Sequence, residues 1–440
     1  MARSAPAKEI SVDRLDKDAV FQKNMGSFIH PRGSHLIERT EAFGEWMDSR
    51  AALNTWHYSR VLEKAPLTLT KLAGRDGVGI EVTNFGSQDY LGLSSHPAIH
   101  MAVLDALREY GPHTAASPIL QGNTLLSLKL EKSLGEFLET EHVLLFPTGW
   151  AAGFGTVVGL VRPEDHIVMD NLAHACLRQG AMATTGKLSF VRHNDLVGVR
   201  RRLQSIRAKD AVNSILVVTE GLFSMDSDSP DIFTLQGLCR EFDAVLLVDV
   251  AHDLGASGPK GTGQIGIQKM LGEVDLVMGT FSKTFASNGG FLASHRKSVK
   301  QFLGMFGPTH TFSNALSPLQ VGVADAALQI IRSCEGDELR SQALNNINRL
   351  RESFAQRGVE CLGEPSNIVP VNVGDEILAK QMSGMLEGKG LLASMVEFPA
   401  VPKGKARFRF QVMPTHTTRQ IDDAVEIFCE ALEAARDMAN

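Results

Sequence analysis

The sequence predicts an α/β protein with a mainly parallel central sheet, helices on both faces, and a smaller C-terminal α/β domain. Three observations predict it. From Val82 onward short apolar runs alternate with longer segments of helical spacing, the runs stop at polar residues or glycine, and those stops carry related chemistry. The runs are His142–Phe146, His166–Met169, Ser214–Val218, Ala244–Val248 and Asp275–Met278, each of strand length. Leu196–Ala208 and Thr234–Phe242 have the period and length of helices.

Residues 1–75 read as an N-terminal leader of short helices and turns. A helix is expected over Leu36–Leu62, with Trp46, Trp56 and Tyr58 available to pack on something larger. Residues 76–320 are expected to form the large domain and 321–440 the small one. Pro318–Arg332 reads as a helix leading into the latter, followed by strands at Asn367–Val373 and Ala406–Val412 and a last helix at Thr418–Ala435. A chain of 440 residues exceeds one simple core, and neither an internal repeat nor a low-complexity linker interrupts it.

Composition narrows the class. The net charge of −6 argues against a general nucleic-acid binder. Cys176, Cys239, Cys334, Cys361 and Cys429 are scattered without CxxC pairs, as expected of reduced thiols in a cytoplasmic protein. No apolar stretch reaches the roughly 18–20 residues needed to span a bilayer, and Met1–Glu9 lacks the apolar core of a signal peptide.

In open α/β sheets ligands collect at the carboxyl ends of strands. Here those ends carry Thr148-Gly149, His174, Glu220 with Ser224, Asp249 with His252, and Thr280 with Lys283. The turn Pro147-Thr148-Gly149-Trp150 opens a small-residue helix whose N–H groups suit a phosphate, and Thr280 could add a hydroxyl. His174 could lie flat on a heteroaromatic ring. Asp249 follows an unbroken apolar run, where a carboxylate is costly without a partner, and a protonated ring nitrogen is one such partner. A structural salt bridge is another. Lys283, in Asp275-Leu-Val-Met-Gly-Thr280-Phe-Ser-Lys283, offers an amine that could trap an aldehyde. His252 and Ser224 could reach a ring hydroxyl. Asp249-Val-Ala-His252 could also bind metal, yet the sequence shows no matching cysteine or carboxylate cluster, so no metal is expected. In Lys405-Ala-Arg407-Phe-Arg409-Phe-Gln411 strand alternation puts both arginines on one face, as a carboxylate grip or as a solvent-facing pair.

In this order the pieces resemble the α-oxoamine synthase family of fold-type I pyridoxal 5'-phosphate (PLP) enzymes. The likeness runs from about Asn84 to Ile427. It includes Asp89-Tyr-Leu-Gly-Leu-Ser-Ser-His-Pro97, Arg192-His-Asn-Asp195, Glu220-Gly-Leu-Phe-Ser-Met-Asp226, Asp249-Val-Ala-His252, Gly279-Thr-Phe-Ser-Lys283 and Val401-Pro-Lys-Gly-Lys-Ala-Arg-Phe-Arg409. The resemblance implies the PLP-dependent transferase fold and a decarboxylative condensation of a small amino acid with an acyl-CoA, giving an α-aminoketone, CoA and CO2. It implies that Lys283 forms the Schiff base, that His174 stacks on the ring and that Asp249 pairs with its nitrogen. Ser224 and His252 would hold the 3-hydroxyl region, Thr148, Gly149, Trp150 and Thr280 the phosphate end, and Arg409 the substrate carboxylate. It further implies a homodimer with shared active sites, in which Ser313 of Phe312-Ser-Asn314 reaches the neighbour's phosphate. Four places depart from the pattern: Gln88 for Asn, the altered segment Gly111–Pro118, Ser127 for His, and Val250 for Glu. Gln88 and 111–118 fall where substrate should approach, so they bear on substrate identity. An aminotransferase or other fold-type I enzyme working without acyl-CoA is the nearest alternative, and a non-catalytic partner subunit is a further one.

Overall fold

The computed structural model describes residues 15–74 and 78–439. The segment Met1–Glu9, read above for a signal core, lies outside the described residues, as do Arg75 and its two successors within the leader and its boundary. The strands run, in chain order, Leu69–Leu72 (β1), Ile80–Phe85 (β2), His142–Phe146 (β3), His166–Asp170 (β4), Leu188–Val191 (β5) and Ile215–Glu220 (β6). They continue as Val245–Asp249 (β7), Leu276–Thr280 (β8), Gly290–Ser294 (β9), Ile368–Gly374 (β10), Leu391–Val396 (β11) and Ala406–Gln411 (β12). The chain divides into two compact units. One holds the described residues up to Ser87 with Asn346–Val412 and the segment from His416; the other holds Gln88–Asn345 with Met413–Thr415.

The second unit carries a seven-stranded sheet of order β3-β9-β8-β7-β6-β4-β5. The β8-β7-β6-β4-β5 pairings are parallel, and β9 lies antiparallel between β3 and β8. Alternation sorts its apolar residues onto two faces. Val168, Val217, Leu246, Val248 and Val277 pack with helices Leu125–Leu138, Leu196–Arg207, Ile232–Glu241 and Pro318–Arg332. Ile167, Met169, Leu216, Val218, Leu247 and Met278 pack with Gly149–Leu160 and Ala175–Thr184. Each such buried aliphatic side chain stabilises the unit by about 1.5–3 kcal/mol. This is the helix-covered, largely parallel sheet that the βα alternation predicts. β9, with two residues as small as Gly290 and Ala293, escaped the periodicity reading.

The first unit carries a five-stranded sheet of order β1-β2-β11-β12-β10. Of the span Leu36–Leu62, expected to be helical throughout, a 3-10 turn at Glu38–Thr40 and the α-helix Glu41–Ala52 form. The helix stops where Asn54 takes a positive φ of 55°, which favours Asn over most residues. Trp46 and Trp56 are buried and meet edge to face at 5.8 Å. An ionic cluster pins this segment down. The fully buried Lys380 donates to the carbonyls of Phe21 and Lys23 at 2.8 and 2.7 Å and meets Glu397 at 3.1 Å. Arg50, equally buried, sits 3.9 Å from Glu397 and donates to Thr55. Such charges persist in a core only where they are paired and hydrogen-bonded.

Candidate active site

Parallel strands deliver their carboxyl ends to one edge, and a cavity of about 300 Å³ opens there. Gln88, Thr148, Gly149, Trp150, His174, Asp249, His252, Thr280 and Lys283 line it, each singled out from sequence. Ser224 and Ser313 are half-buried and outside this lining, and Arg409 is buried in β12 of the other unit. Both Arg407 and Arg409 are buried, so the solvent-facing alternative does not hold. β12 lies between β11 and β10 and is covered along its whole length. A larger open groove of about 600 Å³ along β5 and Leu196–Arg207 is lined by Arg192, Asp195, Arg201 and Arg202, with no group able to trap an aldehyde.

Lys283 follows β8, and its Nζ lies 2.9 Å from His252 Nε2. Asp249 ends β7 opposite Glu220 at the end of β6. Its Oδ1 accepts from the Ala251 N–H at 3.0 Å. Burial raises the Asp249 pKa, opposed by the nearby Lys283 and His174. Burial also raises that of Glu220, and the Asp249 charge adds to it, which favours the neutral form of Glu220. Burial lowers the His174 pKa, with Asp249 pulling the other way. The ring accepts from the Cys176 N–H at 3.3 Å and so caps helix Ala175–Thr184.

The phosphate-type seat is formed by close backbone approach. Thr148 caps helix Gly149–Leu160 by accepting from the Ala151 N–H at 3.0 Å. A Cβ on Gly149 would fall 2.5 Å from the Thr280 side chain, and one on Gly290 would fall 2.6 Å from Gly149 Cα, so neither position admits a larger residue. Thr280 Oγ1 donates to the Gly289 carbonyl at 3.0 Å beside this helix start.

Sequence reasoning missed several members. Cys176, Ser282 and Asn288 also line the cavity. The ligand atoms of His174, Cys176 and Asp249 lie within 4.8 Å of one another, a spacing that could hold a metal ion. Burial and the neighbouring carboxylates push the Cys176 thiol well up, which keeps it protonated and a poor ligand. The donor set fits a phosphorylated pyridine aldehyde better: an amine, a buried anion beyond it, a flat imidazole, and a helix N-terminus with a hydroxyl for the phosphate.

Comparison with known proteins now decides the family. The Aminotransferase class I and II family profile matches residues 80–428. An 8-amino-7-oxononanoate synthase of Geotalea daltonii is 31% identical over 385 residues, covering 88% of this chain and 96% of that protein. The chain belongs to the α-oxoamine synthase family. A second relative of this α-oxoamine synthase, a serine palmitoyltransferase of Bacteriovorax stolpii, is 29% identical over 86% of the chain and 87% of its own length. Among solved structures, a serine palmitoyltransferase of Sphingomonas wittichii superposes with a TM-score of 0.84 at 27% identity, covering 92% of this chain and all of its own. Another, solved with PLP as its internal aldimine, gives 0.85 at 25% identity over 91% and 99%. The largely parallel sheet of this α-oxoamine synthase is therefore that of fold-type I.

The His193 of its Arg192-His-Asn-Asp195 motif bridges the end of β4 and the loop that follows β6. Nδ1 lies 3.1 Å from Asp170 at the end of β4, and Nε2 lies 2.8 Å from Asp228. Burial draws its pKa down, but the bonds to Asp170 and Asp228 outweigh it and raise the value to about 10. A raised histidine contributes stability that is complete below its unfolded pKa of about 6.5 and is lost as the pH climbs through about 10. His193→Gln is expected to cost about 2 kcal/mol at pH 6. In thermal melts of wild type and variant, the Tm gap should narrow steadily from pH 6.5 to 10; a gap independent of pH would show that the imidazolium contributes nothing.

Proposed function

We propose that this α-oxoamine synthase uses PLP to condense a small amino acid with an acyl-CoA thioester, releasing CoA and CO2 and leaving an α-aminoketone. The observation that carries it is the meeting of Lys283, Asp249, His174 and the Gly149 helix start in one cavity. The relatives' names support the reaction class, since both 8-amino-7-oxononanoate synthases and serine palmitoyltransferases are among them. Bound there, PLP supplies an electron sink for negative charge developing at the amino acid's α-carbon.

The chain's own residues do the rest. Lys283 Nζ holds the cofactor by its aldehyde carbon and, once released, takes the proton from the α-carbon. The anion of Asp249 keeps a proton on the ring nitrogen. Burial favours the neutral form of its neighbour Glu220, which would spare it a second adjacent charge. His174 supplies a flat face, and Thr148, Gly149, Trp150 and Thr280 receive the phosphate end. Ser224 and His252 are assigned to the ring hydroxyl, Gln88 to the substrate approach, and Arg409 to the substrate carboxylate.

A homodimer with shared sites completes the reading, with Ser313 reaching the neighbouring copy's phosphate. It is supported by Phe306 and Phe312, which are 66% and 87% exposed in the single chain, a cost that a second copy removes. Free cysteines throughout fit the cytoplasm. Among the described residues no helix is long and apolar enough to cross a membrane.

The test is free-thiol release from acyl-CoAs of graded chain length, each paired with glycine, alanine or serine. Release that requires both partners is expected. Absence of release with every pair, alongside keto-acid formation from the amino acid, would favour an aminotransferase instead.

A further inference from the structure

Two hydrogen bonds run in series through the cavity wall. The buried Tyr90 hydroxyl lies 2.7 Å from His252 Nδ1, and His252 Nε2 lies 2.9 Å from Lys283 Nζ. A neutral imidazole carries one ring proton, so the bond made at Nδ1 dictates what Nε2 can offer. When a phenol donates to Nδ1, the proton sits on Nε2 and faces the amine, which must accept with its lone pair. Without that donor the imidazole can take the other tautomer and accept from an ammonium group instead.

We propose that Tyr90 is a positioning residue for Lys283: its hydroxyl fixes the Nε2–H tautomer of His252 and so favours the unprotonated, nucleophilic amine. The proposal rests on the PLP reading above, because an aldehyde is captured only by an amine with a free lone pair.

The surroundings make such a device useful. Asp249, Glu220, Asp253, His174 and Cys176 are further titratable groups that interact with Lys283. The carboxylate of Asp249 favours the ammonium form, and nothing else in that set offers Lys283 a directed proton donor through His252. Tyr90 is held for the task by its own turn. Asp89 Oδ1 accepts from the Leu93 N–H and Oδ2 from the Ser94 N–H, both at 2.9 Å. That closes the chain around Gly92, whose φ of +69° suits glycine. The ring lies with its centroid 6.2 Å from that of His252.

The experiment follows PLP capture by the full-length chain, prepared free of PLP, as the change in visible absorbance on mixing across pH 6–10. For wild type the capture rate rises with pH to a plateau. Tyr90→Phe is expected to move the half-maximal pH up by about one unit, slowing capture near neutral pH about tenfold with the plateau kept. Biosynthetic 3-fluorotyrosine, a stronger donor, is expected to move it down. The chain has three tyrosines, so labelled Tyr90→Phe protein gives the background from Tyr58 and Tyr110. The 15N shifts of histidine-labelled protein should show His252 with Nε2 protonated in wild type and mixed tautomers in Tyr90→Phe. A half-maximal pH unchanged by both substitutions, or a fall in plateau alone, would overturn the proposal and leave the PLP reading standing. No capture by wild type at any pH would overturn both.

Discussion

Lys283→Ala is expected to lower amino-acid-dependent thiol release by about a thousandfold or more and to remove the visible absorbance that the wild type gains on binding PLP. Two functions are lost with one side chain. On the proposed reading Nζ would be the covalent anchor and, once released, the base at the α-carbon, two roles that no one neighbouring group would replace. The amine is held 2.9 Å from His252 at the end of β8, on a rigid strand. PLP itself should still bind, because the helix start at Gly149 and the anion of Asp249 are untouched; ultrafiltration will detect it. Added alkylamines could restore part of the proton transfer but not the tether. Persistence of the wild-type absorbance band in the variant would move the anchor to another lysine.

Asp249→Asn is expected to separate activity from stability. Activity falls by about 10²–10⁴-fold, roughly 3–5 kcal/mol of barrier, because a neutral amide cannot hold a proton on the ring nitrogen. The cofactor-free protein should melt no lower than wild type. Burial raises the Asp249 pKa, so its stabilising contribution is complete only below its ordinary value near 3.8 and is lost as the pH rises through the raised value. Wherever Asp249 is ionised, the wild type carries a buried anion with incomplete compensation, which the amide relieves. Adding PLP is expected to reverse the order, since on the proposed pairing the anion would meet the protonated ring nitrogen and mass action would stabilise the wild type more than the variant. Melts with and without PLP test this crossing. A variant destabilised equally in both conditions would make Asp249 a structural residue.

The parts of this site that were legible in sequence are those that end strands. Lys283, Asp249, Thr280 and the Thr148-Gly149 turn interrupt apolar runs, and a parallel sheet brings such interruptions to one edge without any tertiary detail being known. Tyr90 was visible only as part of a motif. Its bond to His252 spans 162 residues, and no periodicity records which turn will fold against which strand end. Cys176 and Asn288 were equally silent, being ordinary residues whose position alone gives them a role. β12 shows the limit of alternation: Arg407 and Arg409 share a face, but a strand paired on both edges and covered on both faces buries polar and apolar residues alike. The helix expected across Leu36–Leu62 ended early because Asn54 turns the chain, a backbone event that helical spacing does not report.

The first unit is assembled from pieces separated by nearly the whole chain. Lys380 on one piece holds the carbonyls of Phe21 and Lys23 on another. On the ribosome the leader therefore emerges well before these late partners. At about 5–20 residues per second, the wait while Gln88–Asn345 is made lasts on the order of tens of seconds. The second unit has almost all of its residues by then, whereas Lys380 and Glu397, the partners of Phe21, Lys23 and Arg50, have yet to be made. Nascent chains of this enzyme thus hold the segment from Phe21 to Arg50 incompletely paired while Gln88–Asn345 is made, and chains that stop before β11 never supply Glu397 to Arg50.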